Sequence, residues 1–211
     1  MDGYELLQAY QNGRRDFKQI TLTDVDLENA HLKEVNLFGA DLRGGQMQGS
    51  QLRDSNLVGE ILTGANFEKA NLSWTNMERA DLRQANLKNA TLVMANCKGA
   101  DLSGANLSGA SLGVVNFNRA VLKNANLSHA DLQEADLSRT DLRGAVLRGA
   151  NLKEASLQFA NLEQADLRDA NLSHADLTGA RLGRFLRRAN LKNARLTNTT
   201  MPDNATHKSK T

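Results

Sequence analysis

An apolar residue at every fifth position is the feature that most constrains this chain. From Phe17 to Leu182 each of these positions holds Leu, Phe, Met or Cys. The residue two places before is mostly Ala, and the residue directly before is mostly Asn or Asp. Helical residues advance by about 100° each, so successive central residues would lie about 140° apart around a helix and form no apolar stripe. The five-residue period therefore argues against a helical fold.

The same period suits short extended segments joined by corners. The Ala and the central residue are two positions apart and share one face of an extended segment, while the Asn or Asp between them faces the opposite way. The two remaining residues are rich in Gly, Ser, Lys, Arg and Asn, and they must turn the chain so that the next Ala faces inward. A chain built in this way winds into a solenoid whose coils are joined by backbone hydrogen bonds.

The irregular central residues indicate how many sides each coil has. Those that are not Leu fall on alternate pentads, which implies an even number of sides. Two sides would leave no interior, whereas four sides give a coil of 20 residues. The central residues that carry this argument are Phe17, Met47, Phe67, Met77, Cys97 and Phe117.

The repeated motif A(D/N)LXX resembles the pentapeptide repeat family over about residues 15–201. This resemblance implies an all-β solenoid, a right-handed quadrilateral β-helix, with about nine coils for a chain of this length. The chain is similar to cyanobacterial members, which begin with a short helix followed by the sequence RDF, here Arg15, Asp16 and Phe17. Some members are linked to control of heterocyst differentiation, and others protect DNA gyrase by imitating duplex DNA.

Both ends of the solenoid need a cap, because a terminal coil exposes its core and an unpaired edge. We predict a capping helix in residues 1–14, where Asp2 can cap the helix and Glu5 can complete a capping box. Leu6 and Tyr10 would then cover the first coil.

The repeat is interrupted near the other end. Leu186 follows Leu182 by four residues instead of five, which predicts a register shift at 183–186 with one residue lost at a corner. The β-helix is expected to run over 15–201, and residues 202–211 are expected to form a disordered tail because Pro202 stops strand pairing.

The C-terminal part of the chain is basic. Residues 181–211 contain eight Lys and Arg residues against one carboxylate, that of Asp203. We predict a monomer, or a homodimer joined end to end through a basic surface. The residues of that candidate surface are Arg181, Arg184, Phe185, Arg187 and Arg188.

Glu60 occupies a position where the repeat places an inward Ala, and Ile61 occupies an outward position. An unpaired buried carboxylate is energetically expensive. The favoured interpretation is a local bulge that turns Glu60 outward, and the alternative is a buried functional carboxylate.

The sequence shows no cluster of titratable or metal-binding residues. We predict a protein that is not an enzyme and needs no metal or cofactor. The four histidines fall in different columns of distant coils, and Cys97, the single cysteine, sits at an inward position. No secretion signal and no run of about 18 apolar residues is present. The expectation is a cytoplasmic protein with no membrane contact.

The outer surface offers one candidate site for a protein partner. Residues 20 apart should stack, so Trp74, Met94 and Val114 would form an apolar column with Val93 beside it. A second column, Phe38 and Val58, would lie across an asparagine ladder. The residues of the ladder are Asn36, Asn56, Asn76, Asn96 and Asn116.

Three other interpretations stay open at this point. The apolar columns can be incidental, since single exposed apolar residues are ordinary, and the chain can be a structural or stress-related solenoid without a dedicated partner. It can also be a DNA mimic that protects a type II topoisomerase. A mimic needs a strongly acidic surface, whereas the row of aspartates at Asp41, Asp81, Asp101 and Asp141 has Arg or Lys two positions after most of its members. Direct nucleic-acid binding is disfavoured because the basic end has a single aromatic residue, Phe185.

Overall fold

The computed structural model of the protein describes residues 1–183, 188–203 and 206–207. Along the repeat, each outward residue that precedes a central position forms a parallel β-bridge with the residue 20 positions later, from Asp16 with Asn36 to Asn161 with Arg181. One coil therefore contains 20 residues, which is four pentads and four sides. The bridges are isolated and do not extend into longer strands, because each side contributes one bridging residue before the chain turns.

Backbone hydrogen bonds between coils hold the solenoid together. On the side that begins at Asn56, the N–H of Asn56 donates to the carbonyl of Val35 at 2.9 Å and the carbonyl of Asn56 accepts from Leu37 at 2.9 Å. The same pair of bonds recurs on the other sides. Buried backbone groups are thus paired with the adjacent coil, as burial in an apolar core requires.

Each corner is a β-turn that leaves its third residue with a positive φ. The N–H of Ala40 donates to the carbonyl of Leu37 at 2.9 Å, and Gly39 between them has φ +67°. This conformation costs glycine little and strains most other residues, with Asn and Asp better tolerated than the rest. The corner residues that are not glycine, Trp74, Met94 and Val114 among them, have φ between 54° and 62°.

The core runs along the axis and consists of the central residues and the inward Ala residues. The central leucines are at most 4% exposed up to Leu177, and Phe17, Phe67 and Phe117 are fully buried. Burying a side chain of the size of Leu stabilises a fold by about 1.5–3 kcal/mol, so the repeated leucine is the main apolar contribution of each pentad.

The N-terminal cap is helix α1, Gly3–Gln11. Its predicted capping box is confirmed: the Asp2 carboxylate accepts from the backbone N–H of Glu5 at 2.8 Å, and the Glu5 carboxylate accepts from the N–H of Asp2 at 2.9 Å. Leu6 is fully buried against the first coil. The hydroxyl of Tyr10 donates to the carbonyl of Lys33 at 3.0 Å, which ties the helix to the solenoid.

The register shift has a different nature from the predicted one. After Arg181, the spacing between bridged residues changes from 20 to 24, and Asp166 pairs with Asn190. The N–H of Ala189 donates to the carbonyl of Leu182 at 2.7 Å and closes the turn. Four residues are therefore added at a corner, and the expected loss of one residue is wrong. Leu186 itself lies outside the described residues.

Part of the predicted tail pairs with the last coil. Strand β1, Thr199–Thr200, forms an antiparallel pair with strand β2, Thr206–His207. Pro202 lies in the turn between them, so it does not prevent pairing beyond it. The prediction of a disordered tail is therefore wrong for β2, while residues 204–205 and 208–211 lie outside the described residues.

Glu60 is fully buried, which contradicts the expected outward bulge. It lies in a column of small inward residues between Ala40 and Ala80, and its Oε1 accepts from the N–H of Ala40 at 3.3 Å. Its Oε2 has no hydrogen-bond partner. Desolvation raises the pKa of the Glu60 carboxyl to about 9, and the nearby Asp41 carboxylate contributes to the rise. The side chain stays inside because it can remain protonated and neutral.

This burial makes stability depend on pH in a defined direction. The folded-state pKa of about 9 exceeds the ordinary value of 4.5. Between these two pH values Glu60 therefore keeps its proton in the folded protein and loses it in the unfolded chain. The free energy of unfolding should then fall as pH rises from 4.5 towards 9, by roughly 3 kcal/mol between pH 4.5 and pH 7. Glu60→Gln cannot lose a proton, and we expect it to remove this decline in urea unfolding measured across the range. Glu34→Gln, at an exposed position, is the control that should keep it, and a Glu60→Gln slope equal to that of the wild type would contradict the assignment.

Candidate protein-binding surface

Trp74, Met94 and Val114 form a column at one corner of three successive coils. Their exposed fractions are 50%, 41% and 45%, and Val93 beside Met94 is half-buried. Each of the three precedes an asparagine by two residues, so the column borders the side of the solenoid that carries the asparagines. We call this side the ladder side, its outward residues being Asn36, Asn56, Asn76, Asn96 and Asn116, and the corner with Trp74 the entry corner.

The entry corner holds apolar residues in a backbone conformation that disfavours them. Trp74, Met94 and Val114 have φ of 62°, 59° and 57°. A left-handed conformation costs a residue with a Cβ about 1–2 kcal/mol, and Val is among the worst suited because its side chain is branched at Cβ. Being about half exposed, these side chains regain only part of that cost through burial.

The asparagine ladder is continuous in its backbone and interrupted in its side chains. Side-chain amide bonds join Asn56 to Asn36 at 3.2 Å, Asn96 to Asn76 at 3.0 Å, and Asn116 to Asn96 at 3.2 Å. Between Asn56 and Asn76 the structure has a backbone bridge and no amide bond. The predicted unbroken ladder is therefore divided into two parts, and Asn76 begins the longer one.

Phe38 and Val58 lie on the opposite corner of the ladder side, the exit corner. Phe38 is 43% exposed and Val58 is half-buried. They follow Asn36 and Asn56, whereas the entry-corner column precedes Asn76, Asn96 and Asn116. The two apolar columns therefore occupy successive coils and run diagonally across the ladder side, and they do not face each other within one coil.

The exit corner also carries features that sequence reasoning missed. Phe159 is 54% exposed, and the guanidinium of Arg139 lies 5.8 Å from the centre of its ring. A Cβ added at Gly179 would lie 2.6 Å from the Phe159 ring, so this glycine leaves room for the aromatic side chain. Arg119, Arg139 and Phe159 are 20 residues apart, so their position in one column could have been found from the sequence.

The side that follows the exit corner carries the aspartate row, and most of its charge is paired. Asp41 bonds to Arg43 at 2.6 Å, and Asp141 bonds to Arg143 at 2.5 Å. Asp81 and Arg83 make the same contact at 2.5 Å. Hydrogen bonding to these guanidinium groups lowers the pKa of each carboxyl. Asp101 instead accepts from the Ser103 hydroxyl at 2.6 Å.

The described residues bring no catalytic set together. No three His, Cys, Asp or Glu side chains among them are close enough to hold a metal ion. Cys97 is fully buried, and desolvation raises the pKa of its thiol to about 12. None of the described helices has the length and apolar character that crossing a bilayer requires.

Two residues of the predicted basic surface, Arg181 and Arg188, lie within the described part of the chain. Arg181 bonds to the Glu163 carboxylate at 2.8 Å, and Arg188 is exposed. Arg184, Phe185 and Arg187 lie outside the described residues, so the predicted end-to-end dimer stays a prediction.

Solved structures show where else this architecture occurs. HetL, a pentapeptide repeat protein involved in heterocyst differentiation regulation from the cyanobacterium Nostoc sp. strain PCC 7120, is 35% identical with a TM-score of 0.70. The match covers 98% of this chain and 100% of that one. A trypsin-treated form of QnrB1, a plasmid-mediated fluoroquinolone resistance protein, has a TM-score of 0.62 at 22% identity, covering 87% of this chain and 92% of its own. At that identity the likeness concerns the fold alone.

Comparison with curated proteins gives no match. The model of pentapeptide repeats, by contrast, matches the chain at residues 16–54, 46–84, 80–119, 115–149 and 145–184. These matches span most of the sequence and coincide with the coils described above. The chain therefore belongs to the pentapeptide repeat family.

Proposed function

We propose that this protein is a non-enzymatic scaffold or regulator that binds another protein through its ladder side. The observation that carries the proposal is the column of Trp74, Met94 and Val114. Three large apolar side chains stand half exposed, in consecutive coils, at positions where the backbone favours Gly, Asn or Asp. Strained residues that the fold does not need are candidates for a role in function.

The surroundings of the column suit an interface. Tryptophan is enriched among the residues that contribute most to binding energy, and the polar asparagines beside it resemble the rim that surrounds such residues. The amides of Asn76, Asn96 and Asn116 already bond to one another. A partner would therefore contact a rigid row of polar side chains with the apolar column beside it.

The likeness to HetL is consistent with a regulatory role, because that protein is described as involved in heterocyst differentiation regulation. Topoisomerase protection by DNA mimicry is less well supported. The acidic side of this solenoid pairs Asp41, Asp81 and Asp141 with arginines, so it lacks the strongly negative surface that a mimic of duplex DNA needs. Gyrase that stays inhibited by a quinolone in the presence of this protein would agree with that view.

We expect Trp74→Ala to reduce capture of the partner from a lysate by tenfold or more, since a central interface Trp commonly contributes at least about 2 kcal/mol. The fold should be unchanged, because the side chain lies outside the core. Ile61→Ala is the matched control, as Ile61 is 40% exposed on another side. Capture and thermal unfolding are measured on the same preparations, and equal capture by wild type and Trp74→Ala would remove the proposed site.

Val114→Asn tests whether the column is retained at a cost in stability. Asn tolerates a positive φ better than Val does, so the variant should be more stable by about 1 kcal/mol while it binds the partner more weakly. Val146→Asn is the control, because Val146 is 37% exposed at a bridging position that suits a branched side chain. A Val114→Asn variant that loses stability would show that the column contributes to folding.

A further inference from the structure

We propose that the segment bound on the ladder side is an amphipathic α-helix with one apolar stripe and one acidic stripe, lying parallel to the solenoid axis. This inference rests on the proposed function, because it concerns the partner of the same surface. Its evidence is separate, and it comes from the charges on the exit corner and from the dimensions of the ladder side.

Four cations line the exit corner, three of them opposite the apolar column and the fourth, Arg139, one coil further, opposite Glu134. Arg79, Lys98, Arg119 and Arg139 are all exposed, and they follow the ladder side in successive coils. Within the part of the chain that the structure describes, none of the ion pairs includes Lys98, Arg119 or Arg139. Arg79 has a distant contact with Glu78 at 3.8 Å.

This arrangement contrasts with the acidic side around the corner. There the arginines at 43, 83 and 143 each bond to an aspartate two residues earlier on the same outer face. Arg119 and Arg139 instead occupy the same corner position of successive coils, and the guanidinium of Arg139 lies over the Phe159 ring. Carboxylates of a partner would give these cations complementary charge, which contributes to specificity and to the rate of association.

The spacing of the coils favours a helix over an extended partner. Adjacent coils lie about 4.8 Å apart, and an α-helix rises about 5.4 Å per turn. Residues on one face of a β-strand are about 6.6–6.8 Å apart. Over the rise from Trp74 to Val114, two coils, a helix loses register by about 1 Å and a strand by about 4 Å. One turn of a bound helix can therefore contact each coil along the whole apolar column.

The width of the ladder side also suits a helix. About three extended residues separate the two corners, or roughly 10 Å, which is close to the diameter of a helix with its side chains. A helix lying over the asparagines would place one stripe against the entry corner and another against the exit corner. Asp54 and Glu134 bound the apolar column in the preceding and following coils, so the apolar stripe of the partner should extend over about three turns.

A nucleic acid is the competing polyanion. The aromatic residues that stack on bases in single-stranded complexes form platforms along the strand, whereas the entry-corner column has one aromatic ring, that of Trp74, followed by Met and Val. The combination of an aliphatic edge with separate cations therefore favours an acidic helix, and nucleic acid becomes an arm of the test.

The chain provides its own probe, because Trp74 is its single tryptophan and lies in the column. The full-length protein is titrated with Trp-free 18-residue peptides at low salt, and the Trp74 emission is recorded. One peptide is a helix with a Leu stripe and an adjacent Glu stripe, the second has Lys in place of Glu, and the third has Ser in place of Leu. A single-stranded oligonucleotide is the fourth ligand.

We expect the Leu/Glu helix to shift the emission to shorter wavelength in a saturable way, with affinity at least tenfold higher than that of the other three ligands. Arg119→Glu/Arg139→Glu should lower that affinity about tenfold, since reversing two exposed charge contacts costs on the order of 1–2 kcal/mol. The matched control is Lys88→Glu/Lys123→Glu, at exposed positions on two other sides, which should bind as the wild type does.

Equal binding of the Lys peptide, or no loss in the Arg119→Glu/Arg139→Glu variant, would overturn the inference. Tighter binding of the oligonucleotide would replace it with a nucleic-acid surface. These outcomes are distinct from failure of the proposed function. Loss of partner capture in Trp74→Ala, together with full capture by the charge-reversed variant, would leave the binding site standing and remove the acidic helix.

Discussion

Backbone hydrogen bonds between residues one coil apart are the constraint on which the rest of this structure depends. Because each outward residue up to Asn161 pairs with the one 20 positions later, the number of a residue in these coils assigns its side chain to one side, one height and one direction. The leucines fill the axis because they lie at the centre of each pentad, and the corner residues adopt a positive φ because the chain must turn there. The outer surface is then a grid on which residue types can vary without changing the fold.

This regularity explains why so much was predictable from the sequence. The inward burial of Phe67 and Phe117, the outward position of Trp74 and the capping box of Asp2 all follow from local patterns, and the structure confirms them. The burial of Glu60 was only the alternative interpretation, because an unpaired charged carboxylate is expensive to bury. Between two alanines, with one backbone N–H to bond, the neutral acid can remain inside, as its raised pKa indicates.

The register shift shows a second limit. A pentad shortened by one residue and a corner lengthened by four leave the same spacing of leucines, so the sequence around Leu182 fits both. The pairing between coils decides the matter: Asn190 lies beside Asp166, and Ala189 bonds back to Leu182. The length of the corner is determined by contacts between residues far apart in the sequence, and local periodicity does not reveal such contacts. The cations at Arg119 and Arg139, by contrast, were missed although counting by twenties reveals them.

The regular spacing of the outward side chains also determines how function can arise in such a fold. The ladder side presents its side chains in rows at fixed heights, so we expect recognition there to come from those rows. Here an apolar row and a cationic row border the same side, separated by asparagines whose side chains bond to backbone N–H groups two residues later and to each other. The apolar row occupies positions whose backbone conformation penalises it, whereas Arg119 and Arg139 form no ion pair with any other described residue. The apolar row is unfavourable in the isolated protein, and a single bound helix with matching stripes would compensate that cost and supply carboxylates to the cations.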